Sequence, residues 1–147
     1  MLYAGIDIHK SVFQAVVARS GVGELSESRF EPSRAKLGEW AVRWQGELAA
    51  VAIEATTGWR WVWRELVALS FEVRLAEPVR ACGLLGWRRS AKTDRLDARW
   101  LARLLAKEML PESWIAPAEI QQLRDRTRLR KALAEDRRRW DQRLHAS

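Results

Sequence analysis

The chain has 147 residues, a hydrophobic content of 48% and a formal net charge of +7, a combination typical of a globular protein with a basic surface. It contains no apolar run long enough to cross a membrane and no signal-peptide pattern, so we expect a cytoplasmic protein without membrane contact. Cys82 is the only cysteine, and His9 and His145 lie at opposite ends of the sequence. An internal disulfide and a multi-cysteine zinc site are therefore excluded, and a metal ion would need oxygen ligands.

The first part of the sequence predicts three strands in meander order. Residues 2–8 alternate with the period of two that a strand requires, which puts Asp7 on the same face as Gly5. The segment SVFQAVVARSGVGELSESRF places an apolar run and an alternating run on either side of a turn at Gly21 and Gly23. This pattern predicts an antiparallel hairpin.

Helices and strands alternate in the next part of the sequence. EPSRAKLGEWAVRWQGE has Leu37, Trp40 and Trp44 at helical spacing, and LAAVAIE predicts a fourth strand that lies parallel to the first. TTGWRWVWRELVALS predicts a second helix, FEVRLAE a fifth strand, and PVRACGLLGWRRS a short helix or loop. In the fourth strand, Glu54 shares its face with Ala52.

Two further helices complete the predicted order βββαβαβα and its long C-terminal extension. AKTDRLDARWLARLLAK, residues 91–107, predicts a helix on which Asp94 and Asp97 are neighbours. Its predicted buried stripe consists of Leu96, Trp100, Leu101, Leu104 and Leu105. Residues 113–147 predict a second domain, a long basic helix, after a first domain of residues 1–112. Residues 124–143 contain nine basic and four acidic residues, a charge balance that favours nucleic acid as a partner.

Four acidic residues are predicted to meet at one edge of the sheet. Asp7 and Glu54 end two parallel strands at the sheet centre, where open α/β sheets place their sites, and Asp94 and Asp97 share one helix. Such carboxylates repel one another, and two Mg²⁺ or Mn²⁺ ions about 4 Å apart would remove the repulsion and promote phosphodiester cleavage. The alternative is that each acid is an ordinary turn or capping residue.

Three motifs carry a resemblance to a known family. GIDIHK, AIEATTGW and KTDRLDARWLA resemble the catalytic domain of the bacterial DEDD transposases of the IS110 group, relatives of the Piv DNA invertase. The resemblance implies an α/β, ribonuclease H-like (RuvC-like) fold with a five-stranded mixed sheet, flanking helices and a long C-terminal helix. It also implies that Asp7, Glu54, Asp94 and Asp97 are the catalytic residues and the ligands of two Mg²⁺ (or Mn²⁺) ions. EATTGW departs from the family, whose members more often have one threonine before the glycine and a tyrosine after it.

The resemblance also implies a function and partners. It implies a fragment of a nucleoid-associated DNA transposase or site-specific recombinase that cleaves the ends of its insertion element and the target DNA, guided in some relatives by an element-encoded RNA. Such transposases continue into a domain with a serine implicated in strand transfer. Residues 113–147 would then begin a coiled-coil linker to that domain, and the isolated chain would be inactive in full transposition. The apolar stripe of this helix predicts a homo-oligomer.

Candidate nucleic-acid contacts lie beside the acids and on the C-terminal helix. They are Lys10, Trp59, Lys92, Arg95, Arg99, Arg124, Arg128 and Arg130. Ion pairing with the acids is the alternative for the cations near the site, and core packing is the alternative for Trp59 and Trp61. Two other functions stay open: a nucleic-acid-binding module that keeps the fold without catalysis, and an actin-like sugar kinase, whose glycine- and threonine-rich turn is missing after Asp7.

Overall fold

The protein is described by a computed structural model that covers residues 1–77 and 94–145, with the backbone alone at residues 94–97. The described elements are β1 (Leu2–Ile8), β2 (Phe13–Arg19), β3 (Gly23–Phe30), α1 (Arg34–Trp44), β4 (Leu48–Glu54), α2 (Trp59–Ala68), β5 (Val73–Ala76), α3 (Asp94–Ala106) and α4 (Ala118–His145). The segment PVRACGLLGWRRS, predicted to be a short helix or loop, lies outside the described residues.

The strands form one mixed sheet in the order β3-β2-β1-β4-β5. β1, β2 and β3 are antiparallel neighbours, whereas β4 lies parallel to β1, and β5 parallel to β4. The helices α1 and α2 make the connections to the parallel strands. This strand order and direction define the ribonuclease H-like fold and confirm the fold predicted from the sequence.

One face of the sheet is covered by α1 and α2 and carries the large side chains. The rings of Phe13 and Trp61 stack with their centroids 5.5 Å apart, and those of Phe30 and Trp40 stack at 6.3 Å. Aromatic stacking of this kind adds to the burial of apolar area. Trp61 therefore packs in the core on this face. Core packing was the alternative to nucleic-acid contact for this tryptophan.

The other face of the sheet is covered by α3, which approaches β1 closely because Gly5 has no side chain. A Cβ atom at Gly5 would lie 2.1 Å from the carbonyl oxygen of Ala98, 2.6 Å from the amide nitrogen of Ala102 and 2.8 Å from the Cβ of Leu101. Ala98 and Ala102 are completely buried. The helix thus rests on the sheet through its smallest residues.

This close contact changes which residues of α3 are buried. Leu101, Leu104 and Leu105 are buried, as predicted from their spacing. Trp100 is partly exposed, contrary to the prediction, because the alanines that face Gly5 turn the helix so that Trp100 lies beside the interface. The side chain of Leu96 is outside the described part of the chain.

We expect Gly5→Ala to lower the free energy of unfolding by at least about 2 kcal/mol, because the added methyl group meets backbone atoms that cannot move aside. Urea unfolding followed by circular dichroism measures the change. Gly38→Ala is the matched control: a Cβ there meets nothing within 4 Å, so this helical substitution should stabilise the protein by about 0.5–1 kcal/mol. Equal stability of Gly5→Ala and the wild type would contradict the close helix–strand contact.

Helix α3 runs antiparallel to β1. The C-terminal half of α3, including Arg103 and Lys107, lines a cavity of about 460 Å³ together with residues 18–23. Arg19 in turn pairs with Leu2 at the beginning of β1. The first turn of α3 therefore lies toward the C-terminal end of β1.

The edge strand β5 is protected by the segment that follows α3. Ala76 forms an antiparallel bridge with Glu112. Arg74 pairs with Glu72 and, at 3.0 Å, with Glu112. The hydrogen bond that Arg74 donates to Glu72, followed by the charge of Glu112, raises the pKa of Arg74 above its ordinary value. The bridge covers part of the open edge, while the exposed ion pairs add little to stability.

Residues 1–113 and 114–147 form two compact units. In the second unit, α4 is preceded by Trp114, whose ring lies 5.3 Å from the guanidinium carbon of Arg124. Leu129, Leu133, Trp140 and Leu144 are each 60% or more exposed on this 28-residue helix. Among the described residues, no helix is both long enough and apolar enough to span a membrane.

Candidate active site

The C-terminal ends of β1 and β4 each carry one buried acidic residue. The parallel register pairs Ile6 with Ile53, so Asp7 and Glu54, the next residue of each strand, lie side by side. Asp7 is 7% exposed and Glu54 is 6% exposed. Two carboxylates buried this close together need cations or hydrogen-bond donors that compensate their charge, which makes this edge of the sheet the candidate site.

Local sequence explains why each acid ends its strand. β1 stops at Ile8, one residue after Asp7. After Glu54 the chain turns at once, because the amide of Thr56 donates to the carbonyl oxygen of Glu54 at 2.8 Å. Gly58 then adopts a positive φ of +93°, a conformation that favours glycine, and is the N-cap residue just before α2. Both carboxylates therefore lie on rigid strand ends beside turns.

The sheet face of the two acids is the face that α3 covers. Ala50, Ala52 and Glu54 lie on the same face of β4, because side chains alternate between the two faces along a strand. Ala50 and Ala52 pack against Leu101 and Leu105 of α3. Helix α3 begins at Asp94, and its first turn lies toward the end of β1 that carries Asp7. The acidic pair and the first turn of α3 therefore lie toward the same edge of the sheet, at the C-terminal ends of β1 and β4.

The other predicted ligands lie outside the described side chains. Only the backbone is described at Asp94, Arg95 and Asp97, and Lys92 is outside the described residues altogether. Among the side chains that are described, no group of three or more His, Cys, Asp or Glu residues is placed to hold a metal ion. Of the four predicted metal ligands, the structure describes the side chains of Asp7 and Glu54.

Gln14 is a buried polar residue beside the acids that the sequence analysis did not identify. It is 1% exposed and lies directly opposite Asp7 in the antiparallel register of β1 and β2. Its Nε2 donates to Glu27 Oε1 at 2.7 Å, whereas its Oε1 has no hydrogen-bond partner among the described residues. An orphaned buried acceptor costs about 1–3 kcal/mol. A polar residue inside the apolar run FQAVVA was the one signal that pointed to it.

The oxygen atoms at this edge suit a hard divalent cation. Asp7 and Glu54 supply carboxylate oxygens, and Gln14 has an amide oxygen without a hydrogen-bond donor among the described residues. Mg²⁺ and Mn²⁺ prefer oxygen ligands of this kind, and Mg²⁺ usually keeps several water molecules. The residues present therefore fit the metal that the sequence resemblance implies.

Three of the predicted nucleic-acid contacts are described in the first unit. Lys10 is exposed two residues after β1. Trp59 is half-buried at the start of α2, with the guanidinium carbon of Arg60 at 6.0 Å from its ring centroid. Arg99 forms ion pairs with Glu24 at 2.5 Å and Glu27 at 4.0 Å, and its side chain is 24% exposed. Along the chain, Lys10 lies three residues after Asp7 and Trp59 five residues after Glu54, while Arg99 joins α3 to β3.

The remaining predicted contacts lie in the second unit. Arg124, Arg128 and Arg130 are all exposed on α4. Arg124 lies over the ring of Trp114. These arginines form a basic surface on one helix, and basic helices of this kind suit contact with phosphates.

Several solved structures are similar to the chain. RuvC of Thermus thermophilus, described alone and in complex with a Holliday junction substrate, is 15% identical with a TM-score of 0.49; the match covers 77% of this chain and 99–100% of the RuvC chain. A fowlpox virus resolvase in complex with substrate Holliday junction DNA is 10% identical with a TM-score of 0.46, over 75% of this chain and 99% of the resolvase. No curated protein sequence gives a significant match.

A family model settles the membership. The model, which is described as a transposase and represents the DEDD transposases of the IS110 group, matches residues 4–147. This match includes β1 with Asp7, β4 with Glu54 and the helix that begins at Asp94. The chain belongs to the DEDD transposase family of the IS110 group.

Proposed function

We propose that the protein cleaves DNA phosphodiester bonds during transposition with two divalent metal ions held by Asp7, Glu54, Asp94 and Asp97. The observation that carries the proposal is the pair of buried carboxylates, Asp7 and Glu54, side by side at the ends of two parallel strands. Membership of a transposase family supports a recombinase-type nuclease domain. The beginning of α3 at the same end of the sheet supports the inclusion of its two acids.

The protein's part in the reaction is to hold its carboxylates in fixed positions. Asp7 and Glu54 sit on strands at the sheet centre, and the contact of α3 with Gly5 fixes the helix that carries the other two acids. Mg²⁺ or Mn²⁺ held by these residues would supply the positive charge that activates an attacking oxygen and stabilises a leaving oxygen. Rigid ligands keep this geometry close to the productive one.

The proposed substrates are the ends of the protein's own insertion element and the target DNA, with an element-encoded RNA as a guide, in the cytoplasm of a bacterium. Lys10 follows Asp7 by three residues and Trp59 follows Glu54 by five. We assign both, with Lys92 and Arg95, to the DNA strand at the site: the cations to phosphates and the tryptophan to an unpaired base. The basic helix α4 suits either nucleic acid.

Helix α4 also supports a proposal of self-association. Leu129, Leu133, Trp140 and Leu144 recur at intervals of four, seven and four residues and are exposed. This spacing keeps them on one side of the helix, as in a coiled coil. We assign this stripe to a second copy of the same helix, which makes the protein a homo-oligomer.

Replacing Arg128, Arg130 and Arg137 together with glutamine is expected to weaken DNA binding and to reduce its salt dependence. Each lost phosphate contact should lower the slope of log K against log salt concentration by about 0.9, because fewer counterions are released. Fluorescence anisotropy over a salt series measures both quantities. The triple lysine variant keeps the charge and should keep the slope. An unchanged slope in the glutamine variant would make these exposed arginines ordinary surface residues.

The function is tested by incubating the purified chain with Mg²⁺ and labelled DNA that contains an element end. We expect weak strand cleavage that requires the metal and stops when a chelator is added. A sequencing gel resolves the products. DNA binding without cleavage at any concentration of Mg²⁺ or Mn²⁺ would instead support a non-catalytic nucleic-acid-binding module on the same fold.

A further inference from the structure

We propose that Gln14 is a further residue of the metal site, and that Glu27 and Arg99 hold it in position. In this assignment the Gln14 Oε1 atom accepts a hydrogen bond from a water molecule of the divalent ion beside Asp7. The inference rests on the proposed function, because it needs a cation at the acidic edge. It goes beyond the four acids, since Gln14 is uncharged and lies on a different strand.

The place of Gln14 in the sheet brings its side chain next to that of Asp7. The antiparallel register sets Asp7 directly opposite Gln14, and side chains of directly opposite residues point to the same face with their Cβ atoms about 5 Å apart. That face is the one covered by α3. A cation bound by the Asp7 carboxylate would therefore have the Gln14 side chain as its neighbour on the β2 side.

The hydrogen bond to Glu27 fixes which way the carboxamide points. A carboxylate only accepts hydrogen bonds, so the nitrogen of Gln14 must face Glu27, and it does so at 2.7 Å. Glu27 belongs to β3, and the strand order β3-β2-β1 puts β3 and β1 on opposite sides of Gln14. The nitrogen and oxygen diverge from one carbon, which leaves Oε1 on the side away from Glu27.

Glu27 forms an ion pair with Arg99 of α3. The Nη2 atom of Arg99 lies 4.0 Å from Glu27 Oε2, and the same guanidinium contacts Glu24 through Nε. The Glu27 side chain is 30% exposed and that of Arg99 24%, so a partly buried ion pair connects α3 to the residue that accepts the hydrogen bond of Gln14. Glu27 and Arg99 act through Gln14 and are positioning residues.

The unpaired Oε1 atom of Gln14 indicates the role of the contacts among Gln14, Glu27 and Arg99. Gln14 Oε1 is buried and has no hydrogen-bond partner among the described residues, although the other end of the same amide is held in place. Buried acceptors in native proteins normally have a partner, and an orphan calls for a water or an ion. Residues that hydrogen-bond to a metal's ligands typically change metal affinity 10- to 100-fold when they are replaced.

The test is Mn²⁺ binding by the full chain with Gln14→Met, which keeps the side chain's approximate volume and removes both polar atoms. Isothermal titration calorimetry or Mn²⁺ electron paramagnetic resonance should show binding about 10-fold weaker than in the wild type, and the rise in melting temperature with Mn²⁺ should shrink accordingly. Val17→Ala is the matched control: Val17 is also 1% exposed, in the same strand but on the other face. It should lower stability and leave Mn²⁺ affinity unchanged.

Glu27→Gln provides a second variant at a partly exposed position, which keeps the test valid if Gln14→Met does not fold. A glutamine at position 27 no longer fixes the orientation of the Gln14 amide, so Mn²⁺ affinity should fall by less than in Gln14→Met. Wild-type affinity in both variants, together with loss of binding in Asp7→Asn, would overturn the assignment of Gln14 and leave the acidic site intact. Wild-type affinity in Asp7→Asn as well would overturn both proposals.

Discussion

Replacing Glu54 with glutamine is expected to lower the rate of Mg²⁺-dependent DNA cleavage by at least about 1000-fold. A carboxylate that holds the metal supports several kcal/mol of charge stabilisation in the transition state, and each 1.4 kcal/mol is tenfold in rate. Glutamine has the same shape as Glu54, which is 6% exposed, so the substitution removes the charge with little change in packing. Single-turnover cleavage of labelled DNA measures the rate.

Glu47→Gln is the matched control for this prediction. Glu47 is exposed and lies one residue before the beginning of β4, whereas Glu54 is the last residue of that strand. The same chemical change at the opposite end of β4 should leave the cleavage rate within about twofold of the wild type, because an exposed charge this far from the site is screened by solvent. Equal rates in Glu54→Gln and Glu47→Gln would remove Glu54 from the active site.

Asp7→Asn is expected to abolish most of the stabilisation that divalent metal gives to the folded protein. Metal that binds only the native state raises the free energy of unfolding by about 2.7 kcal/mol at a concentration 100-fold above its dissociation constant. Asparagine cannot supply the charge that attracts the ion. The rise in melting temperature with Mg²⁺ or Mn²⁺ should therefore disappear in this variant.

Asp136→Asn controls for the loss of a negative charge. Asp136 lies on α4, where it pairs with Arg139 at 3.4 Å and its side chain is 58% exposed. This variant should keep the full metal-dependent rise in melting temperature measured by differential scanning fluorimetry. A full rise in Asp7→Asn would show that the acids do not form one metal site.

The strands and helices were largely predictable because local sequence specifies them. The alternation from Leu2 to Ile8 matches β1 residue for residue, and the glycines at 21 and 23 adopt the positive φ angles that the hairpin turn requires. At α1, the hydroxyl of Ser33 accepts from the amide of Lys36 at 3.2 Å and caps the helix start. Such signals act within a few residues and can be read from one sequence.

The packing of α3 was less predictable because it depends on a partner distant in sequence. Helical periodicity cannot show that Gly5 faces this helix, and so it cannot show that Ala98 and Ala102 replace Trp100 at the interface. The same limit applies to Trp61, whose ring stacks on Phe13 of another element. Tertiary contact decided both positions.

The candidate site also contains residues that the sequence predicted and one that it did not. Asp7 and Glu54 were predicted as neighbours because both end strands that the crossover rule makes parallel, and the structure places them side by side. Gln14 was missed because its importance depends on the β1–β2 register and on Glu27, which is 13 residues away in sequence. Its orphaned oxygen depends on the three-dimensional surroundings of the side chain.

Anomalous diffraction from crystals soaked in Mn²⁺ tests the two-metal site most directly, because it locates the ions without relying on activity. The proposed site predicts two peaks about 4 Å apart, beyond the C-terminal ends of β1 and β4, with carboxylate oxygens of Asp7 and Glu54 as ligands and the first turn of α3 alongside. Mn²⁺ bound only elsewhere on the protein, or no peak at this edge of the sheet at saturating Mn²⁺, would contradict the proposal that these acids form a metal-dependent nuclease site.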